Sequence, residues 1–245
     1  SSTGGLLFLL LVIFLLWPLS LALVKSVFGP EGFTLDYYKD FLAHGYYYQS
    51  FFNTLLLGVM TTSVCVSAGF CIAYMTTRGP MRLRAPLKLI ALSPLVAPPF
   101  IFCISLIMLL GRNGIITNMF DLKWNIYGFT GPVIAQTLAY LPVAYMMIEN
   151  TLSSLNPNLE DSAANLGASE GKILRSITVP LLIPGFWKAA LVVYALAVAE
   201  FGNVALLCGR TPFLAPDTYL MIVGEYDFNM AGVLSFFLIL PCVVI

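Results

Sequence analysis

The sequence predicts an all-helical membrane protein that crosses a bilayer about six times. Hydrophobic residues make up 59% of its 245 residues, charged residues only 10%, and the mean hydropathy is +0.90. Nearly all charged side chains lie in gaps between long apolar stretches. Such a chain has too little polar surface to cover a soluble globule, whereas apolar helices joined by polar loops suit a bilayer.

Six apolar segments are long enough, or nearly so, to cross the hydrocarbon core as helices, which takes about 20 residues each. They are about residues 6–24, 52–76, 87–110, 131–149, 180–199 and 230 to the end. The first lacks a small-residue cleavage pattern before Lys25, which favours a retained span over a signal peptide. The chain begins without Met and stops inside the sixth segment. We therefore expect residues 1–245 to be a single membrane domain, as a fragment or one half of a longer protein.

Basic residues in the second connection set the predicted orientation. They are Arg78, Arg82, Arg84 and Lys88, with no acid among them. Short loops rich in lysine and arginine stay on the cytoplasmic side. Alternation then places residues 150–178 inside as well, and residues 25–51, 111–130 and 200–229 outside.

Aromatic residues cluster before and at the start of the second span, where an outer interface is expected. They are Tyr37, Tyr38, Tyr46, Tyr47, Tyr48, Phe51 and Phe52. Rings at this depth typically anchor a helix among lipid headgroups. His44 lies among them, so a ferric-ion site is the alternative to an aromatic belt.

Prolines interrupt two predicted spans. Pro94, Pro98 and Pro99 fall in the third and Pro142 in the fourth. Each removes a backbone donor, so these helices either break and line a cavity or keep kinks that neighbouring helices cover. The sequence leaves both readings open.

The most polar stretch on the predicted cytoplasmic side is residues 155–185. Asn156 suits the N-cap and Pro157 the first position of a helix, while Glu160 and Asp161 favour the positive end of its dipole. An apolar stripe follows the helical period, through Leu155, Leu159, Ala163 and Leu166. This apolar stripe is expected to pack either into a groove on a partner protein or onto the bilayer surface.

Two further residues predict how this stretch continues. Gly167 can adopt the left-handed conformation that ends a helix. Ser169 can then cap a second helix, running to Pro180.

This stretch resembles the EAA loop of bacterial ABC-importer permeases. The pattern is Glu-Ala-Ala, three residues, Gly, nine residues, Ile, one residue, Leu-Pro. The residues at those places here are Asp161, Ser162 and Ala163, then Gly167, Ile177, and Val179 with Pro180. The spacing matches throughout, with Asp for Glu, Ser for Ala and Val for Leu. The resemblance implies coupling helices that dock into a cleft on a cytoplasmic ATPase subunit, carried by Glu160, Asp161, Ser162, Ala163, Gly167, Ile177 and Pro180.

Short motifs elsewhere resemble the ferric-iron branch of these permeases. They are the segments 98–100, 110–114, 125–128, 200–203 and 222–224. The resemblance implies the type I importer permease fold, called MetI-like, and ferric iron as the first choice of substrate. Permeases for aminoethylphosphonate, polyamines, thiamine and sulfate carry similar motifs and stay open. Candidates for the translocation path are Pro98, Pro99, Glu200 and Asn203.

The resemblance also implies the assembly and its location. The expected partners are a cytoplasmic ABC ATPase dimer, a second permease unit (a second copy or a fused half), and a periplasmic or lipid-anchored substrate-binding protein. The chain is expected to cross the bacterial inner membrane several times and to bind no cofactor itself, with ATP and Mg²⁺ on the ATPase subunit. It is expected to be a transport subunit and not an enzyme.

Other functional classes fit the sequence less well. Residues 167–173 have three residues between glycines and Ile173 after the lysine, whereas a phosphate-binding loop needs four residues and a Ser or Thr. An intramembrane enzyme would have only His44 as histidine, and no H-E-x-x-H motif occurs. Glu149 and Glu200 are expected to be interfacial charges. A plain channel, which would conduct without nucleotide, is the third class.

The remaining composition argues against two further roles. Net charge is zero and no basic run is long enough to follow a phosphate backbone, so nucleic acid is not an expected partner. The five cysteines lack C-x-x-C spacing and lie in or beside apolar segments, as small buried hydrophobic residues do.

Overall fold

A computed structural model describes residues 5, 8–10, 12–29, 32–121 and 123–244. The described residues are 81% helical, which confirms the predicted fold class. A π-helical turn at Val12–Leu16 precedes the first α-helix. The α-helices are α1 (Trp17–Val27), α2 (Asp36–Ala43), α3 (Gly45–Thr77), α4 (Met81–Leu92), α5 (Pro99–Leu110), α6 (Ile115–Met119), α7 (Thr130–Ser154), α8 (Pro157–Asn165), α9 (Glu170–Ile173), α10 (Val179–Ala199), α11 (Gly202–Leu207), α12 (Leu214–Val223) and α13 (Phe228–Val244).

A short antiparallel ribbon follows α1. Its strands are β1 (Phe28–Gly29) and β2 (Gly32–Phe33).

Five helical segments of the described part are long and apolar enough to cross a bilayer. They are Phe8–Val27, Gly45–Thr77, Pro99–Met119, Thr130–Ser154 and Glu170–Ala199. The sixth predicted span corresponds to α13, which is shorter at 17 residues. The predicted multi-span architecture is therefore confirmed.

The predicted third span, about residues 87–110, is broken at its prolines, which is one of the two readings that the sequence left open. Helix α4 ends at Leu92, residues Ser93–Val96 form a 3-10 turn, and α5 begins at Pro99. The backbone is extended at Ala97 and at Pro98, each of which precedes a proline. Proline disfavours the helical conformation of the residue before it, so two such residues in sequence separate the helices. Pro142, by contrast, lies inside the unbroken helix α7.

The described residues form two compact units, residues 1–56 with 198–245, and residues 57–197. In the first unit, Phe41 and Phe237 stack with their ring centroids 4.0 Å apart. Helices α1 and α13 also pack closely there, because a Cβ at Gly232 would lie 2.7 Å from the carbonyl oxygen of Ala22. This glycine allows two helix backbones to approach each other, as small residues do in membrane proteins.

The second unit contains α4 to α9 and most of α3 and α10. Its core includes the fully buried Tyr145 and Ile148, packed with alanines of neighbouring helices. Gln136 is also fully buried, where its Oε1 accepts a hydrogen bond from Thr61 Oγ1 at 2.9 Å and its Nε2 donates to the carbonyl oxygen of Ala197 at 3.1 Å. This amide therefore joins α3, α7 and α10, the last through a backbone group near the helix end.

Candidate coupling loop

Helix α8 begins as the sequence predicted. Asn156 is the N-cap, and its Oδ1 accepts a hydrogen bond from the backbone N–H of Asn158 at 3.0 Å. Pro157 occupies the first helical position. This cap satisfies one of the backbone donors that a helix leaves unpaired at its start, so the first turn is locally stabilised.

The end of α8 is a left-handed turn at Gly167, where φ is +83°. The N–H of Gly167 donates to the carbonyl of Ala164 at 2.9 Å, and the N–H of Ala168 donates to that of Ala163 at 3.0 Å. This pair of bonds is the Schellman arrangement, which satisfies the last helical carbonyls. The predicted positive φ is confirmed.

The second helix of the loop differs from the prediction. Ser169 has the backbone conformation of an N-cap, but its hydroxyl makes no capping hydrogen bond. The prediction that this helix runs to Pro180 was wrong, since Glu170–Ala199 is one continuous helical segment. A π-helical turn at Leu174–Thr178 precedes Pro180 within it. In a regular α-helix, the ring of Pro180 would clash with the backbone carbonyl one turn earlier. The wider π-helical turn lies at that carbonyl, and the helix therefore continues past the proline.

The apolar stripe of α8 is partly uncovered. Leu166 is 89% exposed and Leu159 is 49% exposed, whereas Leu155 and Ala163 are half-buried. Among the predicted coupling residues, Asp161, Ser162, Gly167 and Pro180 are exposed, and Ile177 is half-buried. The chain thus presents apolar side chains next to the left-handed turn without covering them itself.

Glu160, one of the predicted coupling residues, makes two side-chain hydrogen bonds. Its Oε2 accepts a hydrogen bond from Arg78 Nε at 2.7 Å, and its Oε1 accepts one from Thr178 Oγ1 at 2.8 Å. The side chains of the ion pair are 22% and 18% exposed for Arg78 and Glu160. Sequence analysis placed Arg78 in the basic connection and did not single out Thr178. Nothing in the spacing of residues 78, 160 and 178 indicates that they meet.

Another ion pair lies in the same unit. Lys88 Nζ donates to Glu149 Oε1 at 3.0 Å. This hydrogen bond, together with the negative charge, raises the pKa of Lys88 above its ordinary value. The basic connection therefore has two contacts with acidic residues that follow much later in the chain.

The candidate path residues fall in different units. Pro98 and Pro99 lie at the break between α4 and α5 in the second unit. Glu200 and Asn203 lie in the first unit, where Glu200 Oε1 accepts a hydrogen bond from the backbone N–H of Asn203 at 3.2 Å. The structure therefore brings Glu200 and Asn203 together at the start of α11. The role of all four in a path stays a prediction.

The first unit contains a buried carboxylate that sequence analysis missed. Asp217 is 5% exposed and accepts hydrogen bonds from Ser50 Oγ at 2.6 Å and Tyr46 OH at 3.0 Å. Its place in an apolar run of residues 214–223 was the available signal, because an acid there needs donors. Tyr46 thus has a hydrogen-bonding role in addition to its predicted place in an aromatic belt.

The alternative of a ferric site around His44 receives no further support. The ring Nδ1 of His44 lies 2.9 Å from the carbonyl oxygen of Asp40, and the ring packs edge-on against Tyr47. Among the described residues, no group of three or more His, Cys, Asp or Glu side chains is arranged to hold a metal ion.

A sequence profile decides the family of the chain. The profile described as the binding-protein-dependent transport system inner membrane component matches residues 66–245, which include the whole loop. The chain belongs to this family. The predictions of ABC-importer permease kinship and of a multi-pass inner-membrane location are confirmed.

Curated relatives of this inner-membrane component include two named for ferric transport. The ferric transport system permease protein FbpB of Actinobacillus pleuropneumoniae is 29% identical over 97% of this chain and 36% of its own length. The putative ferric transport system permease protein FbpB 1 of Haemophilus influenzae is 28% identical over 95% of this chain and 38% of its own length. The molybdenum transport system permease protein ModB of Mycobacterium tuberculosis is 31% identical over 73% of this chain and 72% of its own length. The chain spans less than two-fifths of the length of the two ferric relatives.

Solved structures of the same fold include a chain of a bacterial ABC transporter involved in alginate import. Its TM-score is 0.84 at 17% identity, covering 100% of this chain and 91% of that chain. A chain of the MetNI methionine ABC transporter has a TM-score of 0.64 at 18% identity, covering 80% of this chain and 88% of that chain. The predicted type I importer permease fold is thereby confirmed, and at these identities the likeness concerns the fold alone.

Proposed function

We propose that this inner-membrane component is a permease unit of an ATP-binding-cassette importer, and that residues 155–180 couple it to the ATPase. The observation that carries the proposal is the closed left-handed turn at Gly167 beside the uncovered Leu166. It lies where the resemblance to the EAA loop places the docking contact. An apolar stripe with a fixed turn at its end suits the groove of a partner protein.

The continuous helix from Glu170 to Ala199 supports a mechanical role for this loop. A helix transmits displacement along its axis because its backbone hydrogen bonds keep it rigid. When ATP closes the ATPase dimer, the docked helix α8 moves with it and the adjoining span follows. The membrane helices then change between inward-open and outward-open arrangements.

The assembly that this mechanism needs contains several other subunits. An ATPase dimer would bind ATP and Mg²⁺ and hydrolyse the nucleotide. A second permease unit, as a second copy or a fused half, would complete the path, and a periplasmic or lipid-anchored protein would deliver the solute to the outer connections. The chain itself would supply the path and the docking loop. Pro98, Pro99, Glu200 and Asn203 are its proposed path residues.

Ferric ion is the proposed substrate. The two ferric relatives match more than nine-tenths of the chain, whereas the molybdenum relative matches a smaller share at similar identity. That relative makes an oxyanion such as molybdate or sulfate the second candidate. Aminoethylphosphonate, polyamines and thiamine are further alternatives.

Deletion of the gene and measurement of labelled uptake test this function. Cells without the chain should import less ferric ion supplied with the binding protein, and the restored gene should recover uptake. Unchanged ferric uptake together with lost molybdate, sulfate or phosphonate uptake would reassign the substrate. The tagged full-length protein should also retain the ATPase subunit on purification. A preparation that never retains an ATPase would contradict the coupling role.

A further inference from the structure

The carboxylate of Glu160 connects three elements of the second unit. Its Oε2 accepts from Arg78, the residue that follows α3, while it belongs to α8 itself. Its Oε1 accepts from Thr178, the last residue of the π-helical turn before α10. One side chain therefore holds the proposed docking helix against the ends of two membrane spans.

The surroundings of this carboxylate make its charge hard to replace. Thr178 is 1% exposed, and Nη2 of Arg78 is buried without a hydrogen-bond partner among the described residues. A partly buried cation that has few acceptors depends more on the anion it does contact than an exposed cation does. Loss of the Glu160 charge would therefore leave the guanidinium uncompensated as well as breaking two contacts.

We infer that Glu160 is a positioning residue that fixes helix α8 to the cytoplasmic ends of α3 and α10, so that movement of the docked helix reaches both spans. This inference rests on the proposed coupling role of the loop. It concerns contacts inside the chain and is distinct from the docking contact. Asp161, at the first place of the family motif, is exposed on the neighbouring side of the same helix.

The test uses the full-length protein with its native cysteines replaced and spin labels at Asn165 and at Met81, both exposed. The distance between the labels reports the position of α8 relative to the start of α4. The unmodified sequence should give one narrow peak. Glu160→Gln should lose that single narrow peak. The matched variant Glu170→Gln, at an exposed glutamate of the next helix, should keep it.

A second pair of variants covers the case in which Glu160→Gln does not accumulate. Thr178→Val removes the hydroxyl and keeps the shape of the side chain, so it should broaden the peak. Thr178→Ser keeps the hydroxyl and should preserve it. A narrow peak in Thr178→Ser together with a broad peak in Thr178→Val would show that the peak width depends on the hydrogen bond and not on packing.

Co-purification of the ATPase subunit separates this inference from the proposed function. Glu160→Gln should still retain the ATPase, because Leu159 and Leu166 remain exposed. Its ferric uptake per ATP hydrolysed should fall about tenfold, a factor that corresponds to about 1.4 kcal/mol. A narrow peak in both Glu160→Gln and Thr178→Val, or equal broadening in Glu170→Gln, would overturn the inference even if the ATPase binds. Failure of every variant and of the original sequence to bind ATPase would instead overturn the proposed function.

Discussion

Gly185 lies so close to Thr151 that a Cβ built at residue 185 would be 2.6 Å from Thr151 Oγ1 and 2.8 Å from its Cβ. The two residues belong to α10 and α7. The hydroxyl of Thr151 donates to the carbonyl of Met147 in its own helix, so the side chain is not free to turn away without losing that bond. A glycine therefore lets these two helices approach each other, as small residues do between membrane helices.

We expect Gly185→Ala to destabilise the second unit by about 1 to 3 kcal/mol, since overpacking in a closely packed interior has that cost. The added methyl group must displace Thr151 or push the helices apart. The thermal unfolding temperature of the detergent-purified protein measures the effect. Gly171→Ala is the matched control, because a Cβ there meets nothing within 4 Å.

A second substitution shows whether the loss comes from this contact. Thr151→Ala removes the atoms nearest to the new methyl group, so the double variant should recover most of the lost stability. If the double variant instead loses as much stability as the two single variants together, Gly185 and Thr151 do not interact.

Local features of this chain were predictable because their causes are local. The capping residue Asn156 and the left-handed Gly167 are set by side chain and backbone preferences of a few neighbouring residues. The broken third span shows the limit of a hydropathy pattern. The hydropathy pattern shows apolar residues on both sides of Pro94, Pro98 and Pro99, but it does not indicate that the backbone becomes extended between them.

Contacts between distant parts of the chain were not predictable from one sequence. Glu160 was assigned to the helix dipole, whereas its carboxylate contacts Arg78 and Thr178. Asp217 was placed in an outer connection and is buried against Ser50 and Tyr46. Such pairings depend on how helices pack, and neither hydrophobic period nor charge count contains that information.

The orientation of the spans gives a prediction for labelling from outside the cell. A cysteine at Arg82 or at Ser169 should be shielded from an impermeant thiol reagent in intact cells and react after the cells are opened. Asp217 is a poor outer position because it is buried, whereas Tyr226, 74% exposed, should be labelled in intact cells. Cys71 is exposed and must be replaced beforehand. Labelling at Ser169 from outside would reverse the predicted topology.

The buried amide of Gln136 gives a prediction about hydrogen bonds inside the membrane. A double-mutant cycle with Thr61→Val and Gln136→Met removes each partner and then both, and we expect a coupling free energy of about 0.6 kcal/mol, with about 1.7 as the upper bound for such bonds. The unfolding free energy in mixed micelles is the measurement. Ser63→Ala is the control, because its hydroxyl bonds the carbonyl of Val59 within the same helix. A coupling of zero would show that Thr61 and Gln136 do not form a hydrogen bond in the membrane.

Gly167 gives the prediction that bears most directly on the use of ATP. Its φ of +83° costs a residue with a Cβ about 1 to 2 kcal/mol, although a Cβ there would meet no atom within 4 Å. Because there is room within the chain, Gly167→Asp should leave membrane abundance near normal. The strained turn and the new charge beside the exposed Leu166 should nevertheless abolish uptake and weaken co-purification of the ATPase subunit.

Three further variants separate the causes of that loss. Gly167→Asn should be milder, since asparagine adopts left-handed conformations more readily than most residues and adds no charge. Gly171→Asp introduces the same charge at an exposed glycine without positive φ, and it should therefore retain more ATPase than Gly167→Asp. Asp161→Ala should also do less, because a charge near a helix end is worth about 0.3 to 1 kcal/mol. Normal uptake by Gly167→Asp at normal abundance would show that this loop is not the mechanical link to the ATPase.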